Sequence, residues 1–122
     1  MKKSRSLNSR DKAKRLLEAA SRKHPLKPVV LDLRKLNFIW DYFVIVSSTS
    51  LPHSSAILEE LVKLSKEEGF SIHHMEKDEE GGWSLIDYVD VCFHIFSEER
   101  RDFYKLERLF KDAKKVAFRF RR

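Results

Sequence analysis

The chain has 122 residues, of which 42% are hydrophobic and 36% charged, with three Gly, three Pro and one Cys. That is enough apolar material for one folded core, and it excludes collagen-like, low-complexity and disulfide-framework classes. The formal charge of +6 is unevenly spread: residues 1–27 carry +8, residues 28–110 carry −7 and residues 111–122 carry +5. An acidic body thus lies between two basic ends, which suit phosphate backbones, while the body suits a basic protein. Solvated charged tails on a soluble domain fit the same distribution.

In chain order, Asn8 to about His24 reads as a helix. Ala13, Leu16, Leu17 and Ala20 recur at three- and four-residue spacing, with Asn8 or Ser9 to cap the start and Pro25 and Pro28 to stop it. Val29 to Leu33 is a β-branched run and reads as a strand. Asp41 to Ser47 is a stronger one, apolar nearly throughout, as in a strand covered on both faces. Ser50 to Glu68 is an amphipathic helix striped by Ile57, Leu58, Leu61, Val62 and Leu64, with Ser50 or Ser54 as cap, Pro52 in its first turn and Gly69 at its end.

A strand from Phe70 to Met75 follows, then an acidic loop, Glu76 to Gly82. Trp83 to Tyr88 and Val91 to Phe96 form a predicted hairpin, and Glu98 to about Asp112 a final helix with Phe103, Leu106 and Phe110 inward. The expected fold is α/β, a single domain with a mixed, mostly five-stranded sheet and packed helices. Its parts are a basic helical segment, 1–27, the α/β domain, 28–112, and a basic tail, 113–122. For Lys114 to Arg122, with Phe118 and Phe120 interleaved, a strand or arm against RNA competes with a solvated tail, and the latter is the simpler expectation.

No run approaches the ~18 apolar residues of a membrane span, and the basic start (Lys2, Lys3, Arg5) lacks the apolar stretch of a secretory signal. Asp11 and Glu18 speak against a transit peptide. Cys92 sits in an apolar run and reads as a buried structural thiol. A reducing, cytoplasmic compartment and no membrane partner are therefore expected.

Chemistry-bearing patterns are sparse. His73 and His74 are adjacent and point to opposite faces of a strand, while Cys92 and His94 share a face but make only two ligands, so no metal is expected. No glycine-rich phosphate loop is present, and Ser47 to Ser50 reads as helix capping rather than an anion cradle. Asp41, Asp87 and Asp90 are the acids a divergent nucleotidyltransferase-like enzyme would use, yet their spacing is wrong for a shared metal. Neither an active site nor a cofactor is expected. Tyr104, Glu107, Arg108 and Lys111 fall on one face of the last predicted helix, and Trp83 follows a flexible acidic loop, placements that suit a protein interface as well as a core edge.

The series Leu31-Asp32-Leu33, Asp41-Tyr42-Phe43-Val44-Ile45-Val46, Thr49-Ser50, Trp83-Ser84-Leu85-Ile86-Asp87-Tyr88, Asp90-Val91, His94-Ile95-Phe96, Arg101 and Tyr104-Lys105-Leu106-Glu107-Arg108-Leu109 closely resembles the RsfS/Iojap family of ribosomal silencing factors. The resemblance spans about residues 28–110. It implies a nucleotidyltransferase-like fold without catalytic residues, and a non-enzymatic protein that binds the large ribosomal subunit. The implied partner is the fourteenth large-subunit ribosomal protein, and the implied effect is to block subunit joining and repress translation. Trp83, Tyr104, Leu106 and Glu107 match its partner-binding positions. Contact of ribosomal RNA with the basic ends, and a homodimer, are left open. The alternatives are the nucleotide-binding enzyme above and a general RNA-binding module using the basic ends. Family members usually carry Gly where this chain has Ser48 and Val89, and Trp where it has Phe110. Because Val resists positive φ, a turn of another type or a shift in the local geometry is expected at Val89.

Overall fold

The computed structural model describes residues 8–105, 108 and 110–118, and of Phe103 and Tyr104 the backbone alone. Helix α1 spans Ser9–Ser21, its N-terminus capped by Asn8, whose side chain accepts from Asp11 N at 2.8 Å. Strand β1, Leu26–Asp32, begins earlier than its β-branched run predicted. It does so through an irregularity between Leu26 and Val29, where Lys27 takes φ +48°. Pro28 lies inside that irregularity, a place where its missing N–H breaks no ladder.

Strand β2, Tyr42–Ser48, is buried at every position, as its apolar run predicted. Helix α2, Leu51–Glu68, is capped by Ser50 and terminated by Gly69 at φ +75°. Strand β3 is only His74–Glu76. Phe70, expected within it, instead closes the core beside the end of α2, its N–H bound to Ser65 O at 2.9 Å. Strands β4, Trp83–Asp87, and β5, Val91–Ser97, form the predicted hairpin.

Helix α3 is Glu98–Tyr104, not the longer helix to Asp112 that periodicity suggested. Lys105 enters the left-handed region at φ +51° and ends it. The predicted helix is thus interrupted after Tyr104, and Glu107 of the face proposed to join it to Arg108 and Lys111 lies outside the described residues. The basic tail supplies a further strand, β6, Lys114–Val116, antiparallel to β1. The sheet thus has six strands, in the order β3-β4-β5-β2-β1-β6, where five were expected. Among the described residues the central β2/β5 pair is parallel and the other four pairs are antiparallel.

Alternation along β2 and β5 gives the sheet two different faces. Val44, Val46, Phe93 and Ile95 point to one, under α1 and α2, joined there by Leu16, Leu17, Ile57 and Leu61. Phe43, Ile45, Cys92 and Phe96 point to the other, where Phe110 and Ala113 pack. Val116 and Phe118 lean on the first face, and Arg10 lies over the Phe118 ring at 5.2 Å, so the chain's two basic ends meet there. Burial pushes the Cys92 thiol up to about 12, which leaves it an inert packing residue. Among the described residues no helix is long and apolar enough to cross a membrane.

The β4–β5 turn overturns the expectation at Val89. This residue occupies φ +83°, where the family's glycine would sit, and is 59% exposed. A β-branched side chain there costs roughly 1–2 kcal/mol. The Asp87 carboxylate offsets part of it by accepting from Val89 N at 2.8 Å. Ser48, in contrast, lies in ordinary extended backbone at the end of β2, so no glycine is needed there.

Candidate functional site

Trp83 opens β4 and is mounted from three directions. Across the ladder it faces Phe96, and the two rings stack with centroids 4.8 Å apart. Its indole Nε1 donates to His94 Nδ1 at 3.1 Å. Its own N–H is held by the loop before it, where Asp78 Oδ2 accepts from Gly82 N at 3.1 Å and Trp83 N at 3.2 Å. Asp78 Oδ1 takes Glu80 N at 2.9 Å, and Asp78 N donates to Ser84 Oγ at 3.0 Å. These amides, that of Glu80 first, hold the Asp78 carboxyl below the usual carboxylate range. The loop predicted as flexible is thus folded around one carboxylate. The signal lay in the sequence, an Asp followed by Gly81-Gly82, which is the composition of an Asx-type turn. Gly81, at φ +74°, also lets the loop approach Leu51, where a Cβ would lie 3.1 Å from its Cα.

His94 was not singled out as a partner of Trp83, because no pattern in sequence links residues eleven apart on neighbouring strands. It lies on the second face of the sheet, packed edge-on against Phe43 at 4.5 Å. Because Nδ1 accepts from the indole, the ring proton sits on Nε2, which is buried and has no partner among the described residues. Burial pushes the His94 pKa down to about 4, against a weaker upward pull from Asp87. The imidazole is therefore a neutral acceptor that fixes the rotation of the tryptophan.

The other predicted site residues are placed unevenly. Tyr104 is the last residue of α3, the helix that starts directly after β5, where Ser97 N donates to Gly82 O at 3.0 Å. The loop before Trp83 and the start of α3 thus adjoin. The side chain of Tyr104, and Leu106 and Glu107 entirely, lie outside the described residues. In the segment before Trp83, Glu76, Glu79 and Glu80 are exposed, as is Lys77, and Arg100 lies against Gly82.

The three acids weighed for an enzyme are engaged structurally at the opposite end of the strands. Asp87 Oδ1 accepts from Trp40 Nε1 at 3.0 Å as well as from Val89 N. Asp90 pairs with Lys12 at 2.8 Å, and the main chain of Asp41 bonds that of Asp90. Among the described residues no three His, Cys, Asp or Glu side chains lie close enough together to hold a metal ion. Ser50 caps α2, and Thr49 N donates to His53 Nδ1 at 3.0 Å, so this serine-rich turn is consumed by capping.

Residues 6–121 match the sequence family described as "Ribosomal silencing factor during starvation". The chain is 38% identical over 88 residues to a ribosomal silencing factor RsfS of Halalkalibacterium halodurans, covering 72% of this chain and 75% of that one. It is 34% identical to the RsfS of Bacillus subtilis, covering 70% and 72%. The chloroplastic protein Iojap of Zea mays is 29% identical, covering 86% of this chain and 46% of its own. In three dimensions the chain is similar to a crystal structure from Chromobacterium violaceum, with a TM-score of 0.82 and 25% identity over 94% of this chain and 95% of that one. A crystal structure from Bacillus halodurans gives 0.78 and 29%, over 89% and 99%.

Proposed function

This chain belongs to the ribosomal silencing factor (RsfS/Iojap) family, and from that premise we propose that it binds the large ribosomal subunit and represses translation without catalysing a reaction. The partner in this reading is the fourteenth large-subunit ribosomal protein. Trp83, Tyr104, Leu106 and Glu107 form the docking surface, and occupation of an intersubunit contact keeps the small subunit from joining. The place of action is the compartment that holds the ribosome, a cytoplasm in the simplest case.

The observation that carries the reading is the mounting of Trp83. A half-buried indole stacked on Phe96, with its N–H bound to His94 and its main chain bound to Asp78, is an aromatic anchor with little freedom left to lose on binding. The exposed carboxylates of Glu76, Glu79 and Glu80 in the segment that leads into it suit a basic protein surface. A standard interface buries roughly 1,600 Å² in total, which a body of this size supplies.

Co-sedimentation with purified large subunits tests it, using a Trp83→Ala/Tyr104→Ala variant that retains the wild-type melting temperature. Loss of two anchors is expected to weaken binding at least ~30-fold. Equal binding by variant and wild type would remove these residues from the interface. Failure of the wild type to bind would remove the ribosomal reading itself.

A further inference from the structure

At the carboxyl ends of the parallel strands β2 and β5 the chain leaves to opposite sides: α2 covers the first face, and α3 lies over the end of the second. Crevices at such divergence points are where open α/β sheets bind ligands. Here the crevice is a cavity of about 340 Å³ between α3 and the start of β1. Its floor is Arg101, 7% exposed, whose Nη1 donates to the Lys27 carbonyl and to Ser47 Oγ at 3.0 Å. Those two bonds fix the guanidinium's position before any ligand arrives. Lys27, Lys105 and Arg108 line the rim, and among the described residues none of the three makes an ion pair. Glu98 and Asp102, one helical turn apart on α3, add two carboxylates to the lining.

We infer that this cavity binds a phosphate group of an RNA strand, with the three rim cations around the phosphate oxygens and the buried arginine beneath them. Cations collected in a concave site attract an anion more strongly than the same charges spread on a convex surface. The two carboxylates are acceptors for ribose hydroxyls beside the phosphate, and they disfavour a bare inorganic anion. The inference names RNA as a second partner of the chain. It rests on the ribosomal reading only for where that RNA is met, because the binding itself is testable on isolated protein.

The test titrates fluorescent single-stranded RNA into the full chain and into Lys27→Gln/Lys105→Gln/Arg108→Gln. A control, Lys14→Gln/Lys63→Gln/Lys66→Gln, removes equal charge from α1 and α2. Both variants are first matched to wild type in thermal unfolding, and Arg101 is left untouched because its burial makes misfolding the default outcome of replacing it. Loss of about tenfold or more in affinity by the rim variant, with the slope of log K against log salt reduced by about 2, and under ~3-fold loss by the control, is the expected result. Equal losses in both variants would reduce the effect to general charge and overturn the site. Tighter binding of inorganic phosphate than of RNA would make it a free-anion site and overturn the RNA assignment, as would equal affinity for DNA of the same sequence. Ribosome co-sedimentation of the rim variant separates the readings: retained binding with lost RNA affinity leaves protein docking through Trp83 standing.

Discussion

Among the described residues, nineteen hydrophobic side chains, most of them aliphatic, are buried in the cluster under α1 and α2, and six in the cluster on the sheet's other face. The second cluster is joined by ring contacts: Phe43 meets Trp40, His94 and Phe110 at 4.5–5.3 Å, and Trp83 stacks on Phe96. Among the described residues each face also buries polar atoms without a partner: His94 Nε2 on this one, and the hydroxyls of Tyr42 and Ser48 on the first. One face thus supplies stability through area removed from water, at roughly 25 cal/mol per Å². The other sets a buried histidine against a tryptophan and holds that ring in one orientation. The proposed anchor and the cavity at Arg101 both belong to that second face or its end.

This contrast is open to perturbation. The largest effect is expected from Leu61→Ala, which empties a fully buried position on the aliphatic face. It should cost about 3 kcal/mol in denaturant unfolding, while ribosome binding by the folded fraction stays unchanged. A loss below ~1 kcal/mol would mean that the first face is not the main source of stability.

Acid should act on the other face. His94 is held neutral with its pKa near 4, against an ordinary value of 6.5. Between those values the unfolded chain carries the proton and the folded chain does not. The contribution of this group is therefore complete above about pH 6.5 and falls toward pH 4, by up to roughly 3 kcal/mol. Urea midpoints measured from pH 7 down to 4.5 should decline, and His94→Phe should flatten that part of the decline. An unchanged slope in the variant would assign the acid sensitivity to other groups.

The smallest effect is expected from Val89→Gly, which leaves both faces intact and relieves φ +83° in the turn between β4 and β5. A gain of about 0.5–1 kcal/mol, read as a rise of a few degrees in Tm, is expected. A loss would show that the exposed valine contributes packing that outweighs the strain.

Helix starts and stops were legible because they are local. Asn8 and Ser50 cap as read, and Gly69 terminates α2 in the left-handed conformation that suits glycine. The length of α3 was not legible, since a stripe of Phe103, Leu106 and Phe110 has the same spacing whether or not Lys105 breaks the helix. The tail was misjudged for a related reason. Lys114, Lys115 and Val116 carry little apolar character of their own, and they become a strand because β1 offers an unpaired edge.

The sequence by itself determined the element types, the apolar central strand, the uneven charge and the family, all of which rest on near neighbours or on an ordered string of residues. Only the tertiary structure decided which side chains meet across strands. It brought Trp83 to His94, eleven positions on, and Arg101 to Lys27 and Ser47, 74 and 54 positions away. Such pairings follow from register and from the parallel placement of β2 beside β5, which no local spacing encodes.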